Sequence, residues 1–159
     1  MKQRILFVCL GNICRSPAAE AVFLNLIKNE HLLDSFDVDS AGTGSWHVGS
    51  KADERMRNAA QKRGITIKSI ARQINVDDFH FFDLILTMDN DNLKALNCLS
   101  KDSGAFCDEK IKPILSYANN TKLLEVPDPY YGGEKGFENV LDLLEDACDG
   151  LLHQINLKE

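Results

Sequence analysis

Ile5-Leu6-Phe7-Val8-Cys9-Leu10-Gly11-Asn12-Ile13-Cys14-Arg15-Ser16-Pro17 runs, near the start of the chain, as a strand, a loop and a helix in immediate succession. Residues 5–8 form an unbroken apolar run, the pattern of a parallel strand buried on both faces. Ser16 followed by Pro17 predicts a helix cap with proline at the first helical position. Ala19, Val22, Phe23, Leu26 and Ile27 then recur at helical spacing, so the helix is expected over residues 17–30. The loop 9–15 thus leaves the carboxyl end of a buried strand.

The rest of the chain extends this beginning. Phe36, Val38 and Ser40 alternate with Asp37, Asp39 and Ala41, which suits a half-exposed edge strand. Residues 53–63 read as a helix closed by Gly64. Leu84-Ile85-Leu86 marks a second buried strand over 83–87, with Asp89 capping a short helix that turns Leu93 and Leu96 inward. Residues 110–115 form a last strand, and Pro113 pushes it to the sheet edge. Phe137, Val140, Leu141, Leu144, Cys148, Leu151 and Ile155 line one face of a helix over 136–156.

Strands alternating with helices predict an α/β three-layer sandwich with a central parallel sheet and helices on both faces. For four strands in the order 2-1-3-4, a flavodoxin-like arrangement, the first strand lies at the topological switch point. Such folds bind ligands there, beyond the carboxyl ends of the strands. With no repeat, linker or low-complexity stretch, residues 1–159 are expected to form one domain.

The 159 residues are 44% hydrophobic and 26% charged, enough apolar material for a core without staples. The apolar runs are too short to span a membrane. Met1-Lys2-Gln3-Arg4 begins basic, but the apolar stretch behind it stops at Gly11-Asn12, unlike a signal peptide. Five cysteines show no paired spacing, and His31, His47, His80 and His153 lie far apart. No metal or other cofactor is expected, and free thiols suit a reducing, cytoplasmic setting. The formal net charge of −6 argues against nucleic-acid partners. An anion site in such a chain has to be local, built from backbone amides and a few cations.

The loop 9–15 has those parts. Ending at a helix N-terminus, it can aim successive N–H groups at one anion. Gly11 is expected to permit positive φ, and Asn12 tolerates the left-handed region. Arg15 adds a planar, permanently charged fork for phosphate oxygens. Cys9 faces the centre of the cradle, where positive surroundings favour a thiolate able to attack phosphorus. Leu10, Ile13, Cys14 and Ser16 complete the loop. Neither Gly-x-x-x-x-Gly-Lys-[Ser/Thr] nor Gly-x-Gly-x-x-Gly is present, which removes the common nucleotide sites. A chain curled round one tetrahedral anion also brings Cys9 and Cys14 near each other as redox partners.

Cys9-x5-Arg15-Ser16-Pro17 at the N-terminus resembles the low-molecular-weight protein tyrosine phosphatase family. So do Ser40-Ala41-Gly42-Thr43 with Trp46, Ala71-Arg72-Gln73-Ile74, Thr87-Met88-Asp89 and Asp128-Pro129-Tyr130-Tyr131-Gly132. The resemblance spans essentially the whole chain. It implies that Cys9 is the nucleophile, Arg15 binds the phosphate, and Asp128 is the acid that protonates the leaving phenolate. Ser16 would hydrogen-bond the Cys9 sulfur. Asn12 and Ser40 would brace the loop, with Ser69, Arg72 and Asp89 in its support. Ser69 stands where the family commonly has a histidine. Trp46, Tyr130 and Tyr131 would wall a slot for a flat phenyl phosphate. The implied partners are phosphotyrosine-containing proteins, with phosphate-like oxyanions as inhibitors and the chain acting as a monomer.

Two rivals use the same loop. A thiol-coupled arsenate reductase would relay oxidation through Cys98 and Cys107; a non-catalytic phosphate-binding module would need no acid. Tyr130-Tyr131 behind Asp128 favours an aryl phosphate over a small oxyanion. Cys98, Cys107 and Cys148 are otherwise read as structural, and no histidine is given a role.

Overall fold

The computed structural model describes residues 1–157. Four parallel strands, β1 (Gln3–Cys9), β2 (Phe36–Gly42), β3 (Leu84–Thr87) and β4 (Ile111–Pro113), form one sheet in the order β2-β1-β3-β4. β1 is central, and Ile5, Leu6, Phe7 and Val8 are all fully buried. Successive side chains of a strand point to opposite faces. Ile5 and Phe7 therefore join a core with α1 (Arg15–Asn29) and α5 (Gly133–Leu157), while Leu6 and Val8 join a second core on the other face. That second core is covered by α3 (Val76–Phe81) and α4 (Asn90–Asp102). Phe7 packs at a tilt against Phe23 of α1, which meets Phe36 of β2 edge-on. Truncating Phe7 to Ala would cost about 3–5 kcal/mol at this junction.

The helix after the loop starts earlier than its sequence suggests. Cys14, not Ser16, occupies the cap position, and it makes no side-chain capping bond. Ser16 lies inside the first turn with its hydroxyl turned toward Cys9. α2 (Glu54–Gln61) is capped by Asp53 and followed by Gly64 at φ 75°. α4 begins in a reciprocal cap between Asp89 and Asn92 and runs 13 residues. β4 keeps only three residues, because Pro113 cannot donate to the ladder. α5 begins at Gly133, three residues before the start expected at 136.

β2 departs from simple alternation: Ser40, Ala41 and Gly42 are all buried. Its end is not a bare edge. Gly42 donates to Arg72 O at 2.8 Å and accepts from Ile74 N at 2.9 Å, so the segment carrying Arg72 runs alongside it. α3, a six-residue helix with a reciprocal cap between Asn75 and Asp78, has no counterpart in the apolar periodicity.

Candidate active site

β1 ends at Cys9, and five residues curl back before α1 begins. The curl is held from outside. Cys9 O and Leu10 O accept from Thr43 N and Gly44 N, each at 2.9 Å, Ile13 O accepts from Asp53 N at 2.6 Å, and Cys14 O accepts from Ala18 N at 3.1 Å. Gly42 allows this closeness, since a Cβ there would meet Leu10 O at 2.8 Å. With those carbonyls engaged outward, the amides of Gly11, Ile13, Cys14, Arg15 and Ser16 have no protein acceptor among the described residues. Five unpaired donors at a helix N-terminus make an anion cradle.

Asn12 sets the curl. It takes φ 55°, the left-handed region, whereas Gly11 does not. A Cβ at Gly11 would meet the ring of the exposed His47, Cδ2 at 2.9 Å, so the two residues lie against each other at the rim. The Asn12 side chain turns inward, donating Nδ2 to Ser16 Oγ at 2.8 Å and accepting from Arg72 N at 3.0 Å. Its amide donates to Cys9 Sγ at 3.3 Å. Ser16 Oγ lies 3.0 Å from the same sulfur. A thiolate sulfur can only accept, and the other acceptor in reach of the Ser16 hydroxyl, Ala41 O, is farther at 3.5 Å, so the hydroxyl serves as a donor to the thiolate. Two donors thus face Cys9 Sγ, an arrangement suited to negative charge there.

Arg15 is buried beside the cradle. Nη1 donates to Asp89 Oδ2 at 2.8 Å and to Val126 O at 2.9 Å. Nε and Nη2 have no protein acceptor among the described residues, and the side chain lines the cleft above Cys9. Asp89 holds Arg15 with one oxygen and caps α4 with the other, through Asn92 N at 2.8 Å. A cleft of about 220 Å³ opens over Cys9, bordered by Leu10, Ile13, Trp46, His47, Asp128 and Tyr130. Asp128 enters from a turn after Pro127, where Oδ1 accepts from Tyr130 N at 3.0 Å.

Comparison with known proteins places this arrangement. A family model described as low molecular weight phosphotyrosine protein phosphatase matches residues 4–159. The chain belongs to this family. The low molecular weight phosphotyrosine protein phosphatase of Rattus norvegicus is 44% identical over 150 residues, 94% of each chain. A protein tyrosine phosphatase from Entamoeba histolytica, solved with Hepes in its active site, superposes at a TM-score of 0.93 with 47% identity, covering 99% of both chains. A Drosophila arginine phosphatase superposes at 0.89 with 34% identity, covering 98% of each.

Within this low molecular weight phosphatase fold, Cys9, Arg15, Asp128, Trp46 and Tyr130 meet at one cleft. Other expected site residues stand elsewhere. Tyr131 is 91% exposed and does not border the cleft. It is the last residue of the same short turn, Pro129–Tyr131, and points away from Tyr130. Ser40 Oγ is buried without any hydrogen-bond partner, so it does not brace the loop; it lies beside Glu20 of α1 instead. Among the described residues, Ser69 makes no hydrogen bond to the loop either. The bond to Asn12 comes from the Arg72 amide, while the Arg72 guanidinium is tied to Asp39 and both oxygens of Asp78.

Three residues were not singled out from sequence. His47 borders the cleft against Gly11. Asp53 accepts from the Tyr130 hydroxyl at 3.1 Å, and Arg55 lies 4.7 Å from the Tyr130 ring centroid. Proximity of His47 to Trp46 was the available signal for the first; nothing local marks the other two. Burial, then the Asp53 and Cys9 charges, pushes the Cys14 thiol well above its ordinary range. Burial also raises the Glu20 carboxyl from 4.5 to about 7. Among the described residues, no helix is long and apolar enough to cross a membrane.

Proposed function

We propose that the protein hydrolyses phosphotyrosine, and aryl phosphates generally, through a phosphocysteine intermediate on Cys9. The observation that carries this reading is the one cleft joining Cys9, the loop residues Gly11, Ile13, Cys14 and Arg15 whose amides are unpaired, the free edge of Arg15 and Asp128. In the first step the Cys9 sulfur attacks phosphorus and the bond to the phenolic oxygen breaks. Asp128 gives its proton to that oxygen. The cradle amides and Arg15 Nε and Nη2 bind the equatorial oxygens, where charge must be held through the transition state. In the second step Asp128, now a carboxylate, takes a proton from water as water displaces Cys9 and releases inorganic phosphate. The Ser16 hydroxyl supports the sulfur both as nucleophile and as leaving group.

Trp46 and Tyr130 give the cleft aromatic walls, which favour a phenyl ester over an alkyl one. Cys98 and Cys107 do not border the cleft. Cys107 is buried with its sulfur 3.4 Å from Ser100 Oγ, which supports hydrolysis over arsenate reduction through those thiols. The test is acid quench of wild type with substrate, followed by peptide mass analysis. A phosphate adduct on Cys9 is expected, with no turnover in Cys9→Ser. Turnover by Cys9→Ser, or thiol-coupled reduction of arsenate outpacing ester hydrolysis, rejects the reading. Peptides matched except for phosphotyrosine, phosphoserine or phosphoarginine decide the substrate, and Trp46→Ala should erode the phosphotyrosine preference.

A further inference from the structure

Tyr130 makes contacts that an aromatic wall does not need. Its hydroxyl donates to Asp53 Oδ2 at 3.1 Å, while its amide donates to Asp128 Oδ1 at 3.0 Å. Asp53 caps α2, and its own amide donates to Ile13 O at 2.6 Å in the phosphate loop. One residue therefore joins the loop that would hold phosphate to the turn that carries the acid. On the other flank, Arg15 Nη1 grips Val126 O at 2.9 Å. Among the described residues, the one other hydrogen bond leaving residues 127–131 is local, Gly132 N to Pro129 O at 3.1 Å, so the Tyr130 hydroxyl makes the long-range tie.

A carboxylate next to a cleft for dianions opposes binding through like-charge repulsion. Here the charge is countered. Arg55 Nη2 reaches Asp53 Oδ2 at 2.9 Å, and the same guanidinium lies between the Tyr130 and Phe137 rings, 4.7 and 4.9 Å from their centroids. Burial tends to raise the Asp53 carboxyl, but the donors on Arg55 and Tyr130 outweigh it and hold the group below its ordinary range. Burial and the Asp53 charge push the Tyr130 phenol upward. Acceptor and donor thus keep their states through the neutral range.

We propose that Asp53 is a positioning residue for proton transfer: through the Tyr130 hydroxyl it holds the turn that carries Asp128 at its working distance from the phosphate loop. The proposal rests on Asp128 being the general acid. An acid must reach the leaving oxygen within hydrogen-bond distance, and displacement by 1 Å can cost about 10²-fold.

The test compares kcat/KM over a series of aryl phosphates whose leaving groups run from dinitrophenol to phenol. The variants are Tyr130→Phe, which keeps the ring, and Asp53→Asn, which keeps a capping side chain on α2. Asp128→Ala is the reference. Asp128→Ala should show the steepest dependence on leaving-group basicity. Tyr130→Phe and Asp53→Asn should each lose about tenfold more on phenyl phosphate than on dinitrophenyl phosphate. Neither should steepen the dependence further when combined with Asp128→Ala. A uniform loss across the series, or none, overturns the positioning role, because damage to the wall or the cradle ignores leaving-group basicity. If Asp128→Ala keeps the wild-type dependence, the acid assignment fails and the proposal fails with it.

Discussion

Replacing Glu20 by Gln should stabilise the protein above neutral pH and do almost nothing near pH 4.5. Glu20 lies on α1, one turn after Ser16, and its Oε1 is buried without a hydrogen-bond partner. Ser40 Oγ beside it is equally unpartnered. Burial is the main cause of its raised pKa; the Asp39 charge adds to the rise and the Arg72 charge opposes it. The folded protein therefore binds this proton more tightly than the unfolded chain does. Stability from the protonated carboxyl is complete below 4.5 and is lost as pH rises through about 7. At 1.36 kcal/mol for each pH unit between 4.5 and about 7, the loss approaches about 3 kcal/mol. Residual contact with water reduces it, so about 1–3 kcal/mol is expected above pH 8. Glutamine has the same shape, carries no charge at any pH and can donate to Ser40 Oγ. Urea unfolding of both proteins at pH 5, 6, 7 and 8 measures the difference directly. A wild-type-to-variant gap that stays constant over this range would refute the reasoning, as would a variant that is less stable at pH 8.

Asp89→Asn keeps an acceptor for Arg15 and a cap for α4 but removes the anion from a pair whose side chains are 9% and 20% exposed. Stability should fall by about 1–3 kcal/mol, and added inorganic phosphate should recover part of it by supplying the missing charge. Equal phosphate-induced stabilisation of wild type and variant in urea melts would show that Arg15 does not depend on Asp89. Peroxide inactivation should be reversible in dithiothreitol, with a linked Cys9–Cys14 peptide as its product. Because Cys14 is held protonated, trapping of oxidised Cys9 should quicken as pH rises. Full recovery of Cys14→Ser after the same treatment would make that thiol structural only.

Much of the fold could be read locally. An apolar run such as residues 5–8 has no polar position to place toward water, so it needs cover on both faces and sits at the centre of the sheet. Pro113 limits its strand to an edge because it lacks an N–H, whatever packs around it. α3 was not legible. Six residues carry too few apolar positions to set a period, and its stability comes from Phe79 buried against the sheet and from its caps. The end of β2 looked half exposed because alternation along a strand says nothing of the Arg72 segment lying alongside it.

The same division runs through the site. Sequence alone determined the loop from Cys9 to Ser16, because the nucleophile, the turn-tolerant Asn12, the cation and the helix start all fall within eight residues. Backbone geometry links such neighbours directly. Tertiary structure decided everything that depends on partners far along the chain. Arg15 is oriented by Asp89 and Val126, 74 and 111 residues away, and Asn12 by the Arg72 amide, 60 residues away. Tyr130 faces the cleft, its hydroxyl held by Asp53, 77 residues distant, and its ring by Arg55, while Tyr131 faces water. Hydrogen bonds and burial act over a few ångströms of space, and residues this far apart in the chain come within that range only once the sheet has brought its loops together.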